Sequence, residues 1–194
     1  MVNKQRGMMK KKFEYFLNAI HYCIYLEEVW TNKKTEKIVY GFLFFISKYF
    51  FPKRLKIKVY RRHLQSRQEL NEYFYGKEFG QSIGVAHHLF GALSSSYAGI
   101  FSFALLGMSY KMFGKSHNII NFVLIVLPLA LWYIPIYKAV FLRDRYLQFF
   151  KQFEKEDKHW HRKWKRITIA FCIGAVFVTF LGICIMWGIL VYDN

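Results

Sequence analysis

The chain has 194 residues, 54% of them hydrophobic and 21% aromatic, with a formal net charge of +17. Apolar residues gathered into unbroken blocks, with basic stretches between them, read as membrane spans and not as a soluble core. Cys23, Cys172 and Cys184 supply neither a disulfide framework nor a zinc spacing, and the scattered cations point to anionic headgroups ahead of nucleic acid.

Residues 1–12 carry five Lys or Arg and precede an apolar stretch, as the first region of a signal peptide does. Glu14, His21, Glu27 and Glu28 interrupt that stretch and no small-residue cleavage site follows, so the start is read as mature. Two segments here compete for membrane insertion, Phe13–Trp30 and Ile38–Phe51. The first holds three carboxylates and a histidine; the second has only 14 residues and contains Lys48. Each charge at bilayer depth costs roughly 2.5–3.5 kcal/mol on insertion scales. The expectation is therefore two interfacial or membrane-packed helices joined by the basic linker Thr31–Lys37, with no crossing before residue 53. In the alternative, both cross and the protein has five spans.

Pro52 ends the second segment, and Lys53, Arg54, Lys56, Lys58, Arg61 and Arg62 follow at once. Arg61 and Arg62 are read as lipid-headgroup contacts. A polar helix over His63–Tyr75 then leads toward three stretches free of Asp, Glu, Lys and Arg: Ile83–Ser109, Ile119–Tyr137 and Ile167–Tyr192, of 27, 19 and 26 residues. At about 1.5 Å per residue each can cross a hydrocarbon core of roughly 30 Å. Eight Lys or Arg lie in residues 53–82 and nine in 143–166, against two in 110–118 and none after Tyr192. Positive residues near span ends stay inside, so the N-terminus is expected inside and the C-terminus outside.

In the first span Gly91, Ser95 and Gly99 recur every fourth residue, a small-residue row that lets two helix backbones approach closely, within one chain or between copies. His87 and His88 sit near the inner end of this span, while Pro128 and Pro135 lie on one face of the second. Ionisable groups and kinks at membrane depth are candidates for a transport path. The plainer reading makes the histidines neutral headgroup-level residues and the prolines structural kinks.

Leu142–Lys158 continues as a helix, with Tyr146, Phe149, Phe150 and Phe153 forming a stripe beside Arg143, Arg145, Lys151 and Lys155. It suits a surface-lying helix or a cytoplasmic packing face. Trp160, Arg162, Lys163, Trp164, Lys165 and Arg166 then interleave rings and cations just before the third span. Such interleaving can grip single-stranded nucleic acid, but at a span boundary it is the ordinary interfacial anchor. Asp157 and His161 are four residues apart and lack a third metal ligand. No nucleophile with a base and no carboxylate pair can be assembled, so neither catalytic residues nor a cofactor nor a metal is expected.

The expected fold class is all-α: an integral membrane helical bundle with three transmembrane helices, five in the alternative, and basic amphipathic cytoplasmic helices. Residues 1–82 form a cytoplasmic or interfacial amphipathic region, and residues 83–194 a transmembrane region with a cytoplasmic basic helix over 143–166. The expected partners are membrane lipids with anionic headgroups, and further copies of the chain or another protein. The expected function is a non-enzymatic oligomeric or accessory membrane component, such as a pore-like effector, an immunity factor or a subunit of a larger system. A small transporter or channel using His87, His88 and the kinked second span, and a lipid-acting enzyme, are the alternatives. Abundant Lys, Phe and Tyr suggest a low-GC bacterium, and the expected location is the bacterial inner membrane.

Overall fold

The structure is a computed structural model that describes residues 2–50, 71, 73–113 and 118–192. Helix accounts for 93% of the described residues and no strand occurs among them. The helices are α1 (Val2–Phe50), α2 (Gln81–Phe113), α3 (Asn118–Val140), α4 (Arg145–Phe153) and α5 (Lys158–Val191), with a 3-10 turn at Leu142–Asp144 between α3 and α4. Three stretches are long and apolar enough to cross a membrane: Gln81–Phe113, Ile119–Phe153 and Lys158–Val191.

Two boundaries differ from the sequence expectation. Val2–Phe50 is one continuous helix of 49 residues, not two helices around a basic linker. The linker TNKKTEK contains no glycine or proline, and its Lys and Glu residues are good helix formers. Charge there argues against insertion and says nothing about a break. The basic helix expected over 143–166 is also divided. Arg143 and Asp144 take left-handed backbone conformations, with φ of 58° and 52°, and turn the chain sharply between α3 and α4. A second break precedes Lys158, where the Asp157 carboxylate accepts a hydrogen bond from the Trp160 amide at 2.7 Å and caps α5. The cations from Arg162 to Arg166 thus belong to the same helix as the third span.

The chain forms two compact units, residues 1–23 with 88–194, and residues 24–87. In the first, α2 lies beside both α3 and α5. Its buried row is Phe90, Ser94, Ala98, Ser102 and Leu106, ending at Ser109. Along this row Trp132 Nε1 donates to the Ser94 carbonyl at 2.8 Å, Ser102 Oγ donates to the Ile125 carbonyl at 2.9 Å, and Ser109 Oγ lies 2.7 Å from Asn121 Oδ1. The falling order on α3 makes α2 and α3 antiparallel. Toward α5, Tyr97 donates to the Phe171 carbonyl at 2.7 Å. A Cβ built on Gly182 would lie 3.1 Å from the Ile100 Cα, and one on Gly107 would lie 3.3 Å from the Met186 Cα. These numbers rise together, so α2 and α5 run parallel.

This packing follows from a solvent as apolar as the side chains. Leucine-like surface gains nothing by facing inward, so α5 leaves Ile173, Val176, Phe177 and Phe180 63–67% exposed. Serine hydroxyls, the indole N–H and close glycine contacts hold the helices together instead. Ser102 bonds the Ile125 carbonyl, next to the Leu124 carbonyl that Pro128 leaves without its helix N–H partner.

Candidate functional site

At one end of the first unit, the start of α5 and the close of α3 meet the N-terminal part of α1. Residues 17–23 are buried on every side of the helix, although they include Asn18, His21 and Tyr22. Asn18 Nδ2 donates to the Ala139 carbonyl at 3.2 Å, satisfying one of the carbonyls that the C-terminus of α3 leaves open. Glu14 pairs with Arg145 at 3.0 Å, which fastens the first residue of α4 to α1 directly after the left-handed turn. Arg145 is half exposed, so the pair is worth at most about 1 kcal/mol and serves mainly to fix the register.

Aromatic rings do most of the joining. The His21 ring is fully buried, with centroids of Phe90, Phe141, Tyr146 and Phe150 between 5.2 and 5.6 Å from its own. Tyr22 meets Phe150 at 4.9 Å and Phe153 at 5.6 Å. Phe153 stacks on Trp160 at 4.8 Å, and Trp160 Nε1 donates to the Tyr15 hydroxyl at 2.8 Å. Trp164 is 9% exposed and lies edge-on to Tyr15 at 5.7 Å and to Phe16 at 5.9 Å. Each such pair adds about 0.5–1.5 kcal/mol beyond its area burial. The stripe on α4 is therefore a packing face, with Tyr146, Phe150 and Phe153 buried against α1.

Around this aromatic core stand cations. Lys10, Lys11 and Lys12 of α1, Lys151 of α4, and Lys158, Arg162, Lys163, Lys165 and Arg166 of α5 are all exposed. The parallel course of α2 and α5, with α3 antiparallel, sets this collar at one end of the three spans.

Trp160 and Trp164 point their rings at α1, leaving Arg162, Lys163, Lys165 and Arg166 as the outward members of that run. Gly91 is half-buried, and a Cβ added there would lie 3.7 Å from the Tyr133 ring of α3. An added Cβ at Gly99 would meet only Phe103 of its own helix, at 3.8 Å, and Ser95 is half-buried. The closest backbone approaches lie at Gly182 and at Gly107, two steps further along the same row as Gly91, Ser95 and Gly99. His87 is half-buried, His88 and Pro135 are exposed, and Pro128 is half-buried. Arg61 and Arg62 lie outside the described residues. Sequence reasoning missed Tyr15, Asn18 and His21. Trp160, Ala139 and three of the four rings around His21 are more than a hundred residues away, and the available signal was the aromatic stripe waiting for a second surface.

Comparison with protein-family models, with curated proteins and with solved structures finds no match for this chain. The site has to be read from its own chemistry. Among the described residues, no group of three His, Cys, Asp or Glu is placed to hold a metal ion. What the collar offers is fixed positive charge on a rigid aromatic base, chemistry suited to phosphate and carboxylate groups at a membrane surface.

Proposed function

We propose that the protein is a non-enzymatic, self-associating component of a membrane, whose basic collar rests against anionic lipid headgroups. One observation carries this reading. Polar groups along the spans, other than the His87, His88, Pro128 and Pro135 set offered for a transport path, are engaged in joining helices: Ser102 to Ile125, Trp132 to Ser94, Tyr97 to Phe171 and Ser109 to Asn121. A span interior used in this way favours a scaffold over a conduit. Lysine and arginine asymmetry supports an orientation with the collar and N-terminus inside and the C-terminus outside, and composition supports a bacterial inner membrane. Self-association is supported by the Gly99 end of the Gly91, Ser95 and Gly99 row, where an added Cβ has no neighbour from another helix within 4 Å, whereas Gly91 faces Tyr133 of α3.

Replacing Arg162, Lys163, Lys165 and Arg166 together by Gln tests the collar. Each cation near an anionic surface contributes about 1 kcal/mol, so four should lower the affinity for anionic headgroups by about two to three orders of magnitude. Native mass spectrometry of protein extracted from mixed phosphatidylglycerol and phosphatidylcholine vesicles should find phosphatidylglycerol retained by the wild type and lost by the variant, with impaired insertion. Equal retention and normal insertion would remove the lipid assignment. Tight binding of single-stranded RNA at physiological salt, lost in a correctly inserted variant, would replace it with a nucleic-acid role.

A further inference from the structure

The second compact unit contains a cleft of about 320 Å³ between α1 and the helical residues 73–75. One wall is a single face of α1, carrying Asn32, Thr35, Glu36 and Tyr40; the other carries Phe74 and Tyr75. Tyr25 donates to the Tyr75 carbonyl at 2.9 Å, and Tyr75 donates to Glu36 Oε2 at 2.7 Å, so the two walls are tied together.

We propose that this cleft binds a primary organic ammonium group. Glu36 is a half-buried carboxylate that forms no ion pair among the described residues, in a protein with an excess of 17 positive charges. Its neighbours Lys33 and Lys34 are turned to aromatic faces instead, 5.2 Å from the Tyr75 ring centroid and 5.0 Å from that of Trp30. Tyr75 engages Oε2 of Glu36, which lines the cleft, and Oε1 retains its capacity to accept. Asn32 adds a second acceptor, because its Nδ2 already donates to Ser82 Oγ at 3.0 Å and to Glu28 Oε1 at 3.3 Å, which leaves its carbonyl oxygen available. Thr35 can accept a third bond. Three acceptors beside a charge suit the three N–H donors of a primary ammonium, while Tyr40 and Phe74 present rings to a cation and its alkyl arm, the Tyr75 ring being already faced by Lys33.

The Tyr75 phenol does not compete for this charge. Its burial, and after that the hydrogen bond to Glu36 and the charge of Glu36, push it up to about 12, so it remains a neutral donor throughout the physiological range. A lone carboxylate is a poor site for a divalent metal, which needs several oxygen ligands, and it repels an anion. The same ammonium could belong to a free amine or to an ethanolamine lipid headgroup. The site uses none of the collar residues and is independent of the proposed lipid contact there.

The full chain in detergent micelles should be titrated calorimetrically with ethanolamine, and in nanodiscs should be tested for retention of phosphatidylethanolamine over phosphatidylcholine. Saturable binding of ethanolamine assigns a soluble amine; selective retention of phosphatidylethanolamine alone assigns the headgroup. Glu36→Gln keeps an acceptor for Tyr75 but removes the charge, and should weaken either interaction about tenfold or more. Glu78→Gln, on the exposed turn before α2, should change neither. Should Glu36→Gln disturb the fold, Phe74→Ala serves in its place, removing an aromatic wall without touching the carboxylate. Absence of both interactions in the wild type, or equal strength in wild type and variant, overturns the proposal.

Discussion

Gly182→Leu should be among the most damaging single substitutions in the protein. Even a bare Cβ there would stand 2.9 Å from the Phe103 ring and 3.1 Å from the Ile100 Cα. The ring can rotate, but backbone cannot yield without separating α2 from α5. A larger side chain must push the two helices apart along a contact that also includes Gly107 against Met186 and the Tyr97 bond to the Phe171 carbonyl. Overpacking of a closed core costs typically 1–3 kcal/mol and sometimes more, and loss of the neighbouring hydrogen bond adds about 1 kcal/mol. The total, about 3 kcal/mol, is a large share of the 5–15 kcal/mol that holds an ordinary domain together. Gly188→Leu supplies the comparison, because nothing lies within 4 Å of a Cβ built there, six residues further along the same helix. Thermal unfolding in detergent should show a marked fall in Tm for Gly182→Leu and little change for Gly188→Leu. Equal melting of both variants would mean that α2 and α5 do not meet at this point.

The second large effect is expected at Phe150. This ring is fully buried and contacts His21, Tyr22 and Tyr146 at 5.3, 4.9 and 5.5 Å. Phe→Ala in such a setting costs about 3–5 kcal/mol, through lost transfer energy and the cavity left behind. The damage should be local, since the polar ties of the spans do not pass through Phe150. Hydrogen exchange should rise over residues 14–23 of α1 while α2, α3 and α5 keep their protection. Phe177→Ala, at a ring 63% exposed on the outer face of α5, should leave exchange unchanged at both places. Exchange that rises uniformly over every span would show that α1 and the bundle form one cooperative whole.

Both effects depend on features of different legibility in the sequence. The three spans were readable because burial in lipid demands uncharged stretches of bilayer length, and Ile83–Ser109, Ile119–Tyr137 and Ile167–Tyr192 supply them. Their true ends were not, because charge marks where the hydrocarbon stops and not where the helix does. Lys158 to Arg166 continues α5 well below its apolar part. Small residues in α2 advertised close packing, and the glycine-weighted row at 91, 95 and 99 extends to Gly107, which does approach the Met186 backbone of α5. The row buried against α3 runs through 94, 98 and 102, where serine bonds to backbone carbonyls. The polar residues of α1 were least readable. Asn18 finds Ala139 across 121 residues and Glu14 finds Arg145 across 131, so pairs that make the segment buriable looked, in the chain, like reasons for it to stay in water. The Asp157 cap was visible as an aspartate before a helical run, yet the helical pattern on either side concealed it.

The most direct test of the account is the mass of the assembly in mild detergent, compared between the wild type and Gly99→Leu by native mass spectrometry. Within one chain, an added Cβ at Gly99 meets only Phe103 of the same helix, so the variant should keep its helicity and Tm. If the row at Gly91, Ser95 and Gly99 joins copies, the wild type should appear as a defined multimer and the variant as a monomer. A wild-type monomer, or an assembly of the same size in both proteins, would contradict self-association through this face.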